Sequence, residues 1–170
     1  MTSEAKCPVG RREMSEIEQL VNIMKLLRSE NGCPWDREQT HSSLKAACIE
    51  EAAEVVCGIN ILEKTGNSDN LKEELGDLLL QVVLHSQIAE EEGLFNFEDV
   101  AKCVKEKMIR RHPHVFAEES VNSSSQVLKR WDEIKREEKV GKEWMDAELP
   151  SAFDEAEELI EKARARKNPV

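Results

Sequence analysis

The stretch Leu78–Leu84 (LLLQVVL) is apolar at every position except Gln81 and lies within a longer segment of helical periodicity. A helix that is apolar on nearly every side has to be covered on every side, so it belongs at the centre of a helical bundle. Such a central helix is often shared between subunits. The stretch therefore predicts a bundle and, with it, a homodimer or a dimer of dimers. A four-helix core within one chain would also account for it.

Helical signals extend over the rest of the chain. Ser15 and Glu18 form the pattern of a capping box, and NGCPWD (31–36) breaks the helix that begins there. No segment of useful length alternates with period two, and seven glycines and five prolines in 170 residues leave few places to turn. The chain is therefore predicted to be all-α. Its later helices are expected at about 41–64, 70–92, 97–112, 125–139 and after Pro150.

The region after residue 140 is predicted to be separate from the main domain. The expected organisation is a flexible N-terminus over residues 1–14, a main domain over 15–140, and a C-terminal linker and helix over 141–170. The last helix is expected to begin with Ser151 as its cap and to turn Phe153 inward.

The charge balance excludes some classes of partner. With 24 Lys and Arg against 35 Asp and Glu, the net charge is −11, which is opposite in sign to that of a general nucleic-acid binder. No apolar stretch has the length of a signal peptide or a membrane span. The five cysteines lack CxxC spacing, which is typical of free thiols in a reducing cytosol. These features predict a cytoplasmic protein that binds neither nucleic acid nor membranes.

Two acidic pairs lie on the apolar faces of consecutive predicted helices. Glu51 falls inside the apolar sector of its helix and Glu54 at its edge, and Glu74 and Asp77 repeat the i, i+3 spacing on the next helix. Four carboxylates that converge in a partly dry site repel each other unless basic groups or cations neutralise them. Hard oxygen ligands suit Mg²⁺ or Mn²⁺. The alternative is two solvated acidic faces.

A basic segment follows the acidic helices. Lys107 and Arg111 are spaced i, i+4 and project together, so they could hold phosphate oxygens. A solvated face paired with the acidic helices is the alternative. Trp131 lies on a stripe with Val127 and Ile134, which indicates either core packing or a flat surface for a base or ribose.

Five blocks of the sequence occur in the order of a known family. They are GCPWDREQT (Gly32–Thr40), IEEAAEVV (Ile49–Val56) with LKEELGDLLLQVV (Leu71–Val83), EEGLFNFEDV (Glu91–Val100), RRHPHVF (Arg110–Phe116) and RWDEIKREEK (Arg130–Lys139). Together they resemble the ExxE…ExxD signature and flanking segments of the MazG family of all-α nucleoside triphosphate pyrophosphohydrolases, and most closely the N-terminal MazG domain. The resemblance runs from about Ile17 to Lys139. It implies a MazG-like four-helix-bundle core with an additional C-terminal helix.

The resemblance also implies a reaction and a site. Magnesium, with manganese as a substitute, would be held by Glu51, Glu54, Glu74 and Asp77. Water would attack the α-phosphorus of a standard or damaged nucleoside triphosphate, and pyrophosphate would leave. The expected role is the clearing of unwanted nucleotides from the cellular pool.

Further residues take roles from the same resemblance. Lys107 and Arg111 match a basic pair that contacts the triphosphate, and Trp131 matches an aromatic residue near the nucleoside. Glu50 and Glu51 are both candidates for the general base, and with Glu54 they make up the predicted catalytic set. Asn70 stands where some active domains carry a basic residue. The alternative function is therefore a catalytically inactive nucleotide-sensing or protein-interaction domain of the same fold.

Overall fold

The computed structural model describes residues 13–117 and 119–167, and these residues form eight α-helices and no β-strand. The prediction of an all-α chain is confirmed. Apart from Glu13 and Met14, the segment predicted to be a flexible N-terminus lies outside the described residues. The helices are α1 (Glu16–Leu27), α2 (Pro34–Glu38), α3 (Lys45–Thr65), α4 (Asp69–Glu91), α5 (Phe97–Arg111), α6 (Pro113–Phe116), α7 (Ser124–Lys139) and α8 (Glu143–Lys167).

The chain divides after Glu38 into two compact units, and the first contains α1 and α2. The predicted capping box is present, because the Ser15 hydroxyl accepts from the Glu18 amide and the Glu18 carboxylate accepts from the Ser15 amide at 2.7 Å. The break expected at 31–36 includes the start of α2, a short helix that begins at Pro34. Proline suits a first helical position because its φ is already helical and its missing N–H is not needed there.

The second unit begins with an antiparallel pair of long helices, α3 and α4. α3 begins at Lys45 rather than near His41, because Thr40 and Ser43 each accept a hydrogen bond from the other's backbone amide and hold a turn before the helix. Gly66 ends α3 with a φ of +76°, a left-handed conformation that favours glycine. Because the connection is short, α4 returns along α3.

Gly58 is buried where α3 packs closely against α4. A Cβ placed on Gly58 would lie 2.8 Å from the Cα and 3.1 Å from the backbone nitrogen of Leu71, whereas a Cβ on Gly76 would meet nothing within 4 Å. Gly58→Ala is therefore expected to lower the free energy of unfolding by about 1–2 kcal/mol, because α4 has to shift. Gly76→Ala is expected to raise it by about 0.5–1 kcal/mol through helix propensity. Urea unfolding of both variants tests the close contact, and a stabilised Gly58→Ala would contradict it.

The helices of the second unit pack in the order α8, α3, α4, α5 and α7. The core lies around the second half of α4, where Val83, Leu84, Ile88 and Ala89 are buried, and it includes Ile134 of α7. The stretch Leu78–Leu84 is not covered all round within one chain. Leu79 is 37% exposed and Val82 is 39% exposed.

The ends of α5 are placed as the sequence predicts. Asn96 and Asp99 form a capping box at its N-terminus, and the helix ends at Arg111, immediately before His112 and Pro113. Pro113 then begins the single turn of α6.

The predicted start of the last helix is wrong. α8 begins at Glu143 and contains Pro150 in its interior, so Ser151 is not a cap; its hydroxyl donates to the Glu148 carbonyl at 2.8 Å. Phe153 is 65% exposed and does not face inward. Proline is tolerated here because this part of α8 is exposed, so water can satisfy the Asp146 carbonyl that loses its intrahelical donor. No described helix is long and apolar enough to cross a membrane.

Candidate active site

Three carboxylates meet on the faces of α3 and α4 that point toward each other. Glu51 and Glu54 come from successive turns of α3, and Glu74 comes from α4. One oxygen of each lies within 4.8 Å of one oxygen of the other two, and all three side chains are half-buried. The i, i+3 spacing and the tight α3–α4 packing thus bring together residues that are far apart in the sequence.

Asp77, the fourth predicted acid, interacts electrostatically with the Glu51 carboxylate. The pKa of Glu51 is raised, first by its partial burial and then by the negative charges of Asp77 and Glu74; Lys167 opposes this shift. A carboxyl whose pKa rises beside other carboxylates indicates an excess of negative charge at the site. We call Glu51, Glu54, Glu74 and Asp77 the acidic cluster.

Asn70 is part of this environment. Its Nδ2 donates to Oε1 of Glu74 at 2.8 Å, and its Oδ1 is buried with no hydrogen-bond partner among the described residues. An amide orients the Glu74 carboxylate but does not neutralise it, as a basic residue at this position would.

The geometry of the acidic cluster fits a small divalent cation. Octahedral Mg²⁺ holds oxygens at about 2.1 Å, so neighbouring ligand oxygens lie about 3 Å apart and opposite ones about 4.2 Å apart. The oxygens of Glu51, Glu54 and Glu74, which lie within 4.8 Å of one another, need only small side-chain movements to meet this requirement. Carboxylates are the hard ligands that Mg²⁺ and Mn²⁺ prefer. Each ionised carboxylate carries one negative charge, which a bound cation would neutralise in part.

Two basic residues at the end of α8 reach the acidic residues of α3. Nζ of Lys167 pairs with Oε1 of Glu54, and Nη2 of Arg166 pairs with Oε1 of Glu50. Lys167 therefore forms an ion pair with one member of the acidic cluster, Glu54. The sequence analysis did not find these contacts, because residues more than 100 positions apart have no shared periodicity that could pair them.

The structure places Arg111, one of the two predicted phosphate-binding residues, in a second cluster. Arg111 donates to Oε2 of Glu138 from Nε at 3.0 Å and from Nη2 at 2.5 Å, and Arg110 donates to Oε1 of Glu138 at 2.6 Å. The Arg111 guanidinium lies 5.0 Å from the centre of the Trp131 ring, and His112 meets the same ring edge-on. Trp131 thus packs against a cation on its ring face and a second ring at its edge.

Glu138 was missed by the sequence analysis. Hydrogen bonds from Arg111 and, to a lesser degree, from Arg110 lower the pKa of Glu138 below its usual range, so this carboxylate is ionised near neutral pH. Its spacing of seven residues from Trp131 places both on one face of α7, which is the signal that could have found it. No ion pair joins Lys107 or Arg111 to the acidic cluster within the described part of the chain.

Comparisons with known proteins identify the domain that contains the site. Residues 39–116 match the model of the MazG nucleotide pyrophosphohydrolase domain. The chain is 48% identical over 130 residues to a nucleoside triphosphate pyrophosphohydrolase of Escherichia coli, an alignment that covers 76% of this chain and 48% of that protein. It is 54% identical over 122 residues to a nucleoside triphosphate pyrophosphohydrolase/pyrophosphatase MazG of Thermotoga maritima, which covers 72% and 45% of the two chains.

A more distant relative carries the same name. A nucleoside triphosphate pyrophosphohydrolase of Mycobacterium tuberculosis is 38% identical over 132 residues, with 76% of this chain and 39% of that protein covered. The chain thus spans about half the length, or less, of these relatives. The matched residues 39–116 contain the acidic cluster, Lys107 and Arg111. Residues 39–116 of this chain thus form a domain of the MazG nucleotide pyrophosphohydrolase family.

Proposed function

We propose that this chain is a magnesium-dependent enzyme that hydrolyses nucleoside triphosphates to nucleoside monophosphates and pyrophosphate. The observation that carries the proposal is the acidic cluster, in which three carboxylate oxygens lie within 4.8 Å of one another and Asp77 adds a further negative charge beside Glu51. The names of the relatives support the reaction class. The range of substrates is proposed to include standard and damaged triphosphates.

The acidic cluster is proposed to hold the metal, and Mn²⁺ should replace Mg²⁺ there because the ligands are all carboxylates. The bound cation would offset the charge that develops on the phosphate oxygens. A bond then forms between a water oxygen and the α-phosphorus, and the bond from the α-phosphorus to the bridging oxygen of pyrophosphate breaks. Glu50 and Glu51 are the two candidates proposed to take the proton of the water.

Arg111 and Lys107 are proposed to hold the triphosphate. Glu138 fixes the Arg111 guanidinium through Nε and Nη2 and leaves Nη1 for a phosphate oxygen. Trp131 is proposed to present its ring to the nucleoside, on the side away from the guanidinium.

Product analysis tests the proposal. The purified chain is incubated with a panel of nucleoside triphosphates and Mg²⁺, and pyrophosphate, orthophosphate and nucleotide products are separated. Monophosphate and pyrophosphate in equal amounts are expected, with no release when Mg²⁺ is chelated. Diphosphate with orthophosphate would overturn the reaction. Saturable nucleotide binding without any product would instead identify the sensing domain that Asn70 favours as the alternative.

We further propose that the chain forms a homodimer through α3 and α4. Leu75, Leu79 and Val82 are exposed at i, i+4 and i+7 spacing along one face of α4, and Val56 and Ile59 of α3 are exposed as well. Apolar side chains exposed in such a row on a helix indicate a protein interface. A second copy of the same face would cover them and would complete the burial expected for Leu78–Leu84.

Leu79→Glu is expected to convert the dimer to a monomer, because it buries a charge in the middle of an apolar contact. Light scattering over a range of concentrations should show a halved mass. Leu128→Glu is the matched control, since Leu128 is an exposed leucine of α7, and the dimer mass should persist. A wild-type mass that stays monomeric at every concentration would refute the interface.

A further inference from the structure

α8 is attached to α3 by a narrow apolar stripe. Of the described residues of α8, Ala156, Leu159, Ile160 and Ala163 are half-buried at helical spacing, and the rest are exposed. Lys45 of α3 adds an ion pair with Glu155 at 2.8 Å. A helix held by four small or medium side chains can detach at little cost in buried apolar area.

The connection between α7 and α8 permits such a movement. Gly141 lies between the two helices with a φ of +78°, and a Cβ placed on it would meet nothing within 4 Å. Every residue from Val140 to Glu155 is exposed, so the first half of α8 has no buried packing. An ion pair of Lys139 with Asp146 at 2.7 Å joins the two helices here. Short exposed connections of this kind can act as hinges.

α8 faces two members of the acidic cluster, Glu54 and Glu74, across a cavity. A cavity of about 510 Å³ lies between α3, α4 and α8, with Glu54, Glu74 and Asn70 on one side and Ile160, Ala163 and Lys167 on the other. The last turn of α8 closes it through the pairs of Lys167 with Glu54 and of Arg166 with Glu50. Basic residues are favoured at this end of a helix because its carbonyl groups carry partial negative charge.

We propose that α8 is a tethered cover that competes with the divalent cation for the acidic cluster. The ammonium of Lys167 and a divalent cation compete for Oε1 of Glu54, because two cations bound to one oxygen repel each other. Binding of the cation therefore displaces Lys167 and frees the last turn of α8, and the cavity opens for the phosphates. This inference rests on the proposed function, since it assumes that the acidic cluster holds the metal.

The competition sets the size of the expected effect. A cation that binds only the open form has an apparent affinity reduced by the fraction of open molecules. Two partly exposed ion pairs and a narrow apolar stripe favour the closed form only modestly. Removing the charge of Lys167 is therefore expected to tighten binding of the metal by about 3- to 10-fold.

The test is a Mn²⁺ titration of the full chain without nucleotide, in which the signal of free Mn²⁺ is followed by electron paramagnetic resonance. Lys167→Gln should lower the dissociation constant by about 3- to 10-fold. Lys162→Gln is the matched control, because it removes the same charge from the same helix but from a residue that pairs with Glu158. Its dissociation constant should change by less than about twofold. Equal tightening in both variants, or none in Lys167→Gln, would overturn the competition.

Hydrogen exchange gives an independent measurement of the movement. Amides of residues 156–167 should exchange faster when Mn²⁺ is added to the wild type, and in Lys167→Gln they should exchange fast before the addition. Slower exchange of this segment with Mn²⁺ would refute the opening.

The same measurements distinguish a failure of the proposed hydrolase from a failure of the proposed cover. Tighter Mn²⁺ binding in Lys167→Gln together with no pyrophosphate release would refute the hydrolase and leave the cover intact. Mn²⁺ binding that Glu54→Gln does not weaken would refute the metal site, and the cover with it.

Discussion

Glu54→Gln is expected to reduce pyrophosphate release at least ~100-fold, which is the order of the loss when one important electrostatic contact is removed from an active site. Glutamine keeps the shape of the side chain but brings no negative charge to offset the charge of a cation. The same loss is expected for Glu51→Gln, Glu74→Gln and Asp77→Asn. Initial rates at saturating triphosphate and Mg²⁺, measured by pyrophosphate detection, provide the comparison.

Glu63→Gln is the matched control for these variants. Glu63 is an exposed glutamate on the same helix as Glu51 and Glu54, so its loss should leave the rate within about twofold. Full activity in any of the four acidic-cluster variants would remove that residue from the site. A loss in Glu63→Gln as large as in Glu54→Gln would show that the assay responds to net charge rather than to the cluster.

Thermal unfolding separates the loss of chemistry from a loss of fold. Because burial, Asp77 and Glu74 raise the pKa of Glu51 above its value in the unfolded chain, the ionised carboxylate opposes folding at neutral pH. This cost decreases as the pH falls through the folded-state pKa and is gone below the pKa of the unfolded chain, and it is also removed when the charge is deleted. Glu51→Gln is therefore expected to unfold at a higher temperature than the wild type without added metal, while its activity is lost.

Leu84→Ala is expected to lower the free energy of unfolding by about 2–5 kcal/mol, because Leu84 is buried in the core around α4 and the cavity left behind cannot collapse fully. Leu128→Ala removes the same atoms from an exposed position on α7 and should change the free energy by less than about 0.5 kcal/mol. Denaturant unfolding at one fixed protein concentration measures both. Similar values for the two variants would show that the core is not centred on α4.

The local features of the fold follow from the sequence. The capping boxes at Ser15 and Asn96 and the end of α5 before Pro113 depend on residues within four positions of one another. The all-α class follows from helical periodicity, which is a property of the same short range. Residues at i, i+3 spacing share a helix face in any context, so the two acidic pairs and their placement beside apolar stripes could also be predicted.

Where local signals compete, the sequence was a weaker guide. Pro150 usually ends or precedes a helix, yet α8 passes through it because the freed Asp146 carbonyl lies in an exposed segment where water can reach it. The start of α3 at Lys45 depends on hydrogen bonds between Thr40 and Ser43 that periodicity does not report. Leu79 and Val82 share the apolar stretch with Val83 and Leu84, and their different exposure depends on which neighbours α4 acquires.

The sequence by itself determined the all-α class, most of the long helices and the i, i+3 spacing of the two acidic pairs, since each is encoded within a few turns. Only the tertiary structure decided the partners of the charged groups. Arg111 pairs with Glu138 rather than with the acidic cluster, and Arg166 meets Glu50 from 116 positions away. An ion pair needs only two charges within about 4 Å, and a chain with many of both signs offers far more such pairs than it can form. Helix packing selects among them, and it placed the end of α8 over the acidic cluster.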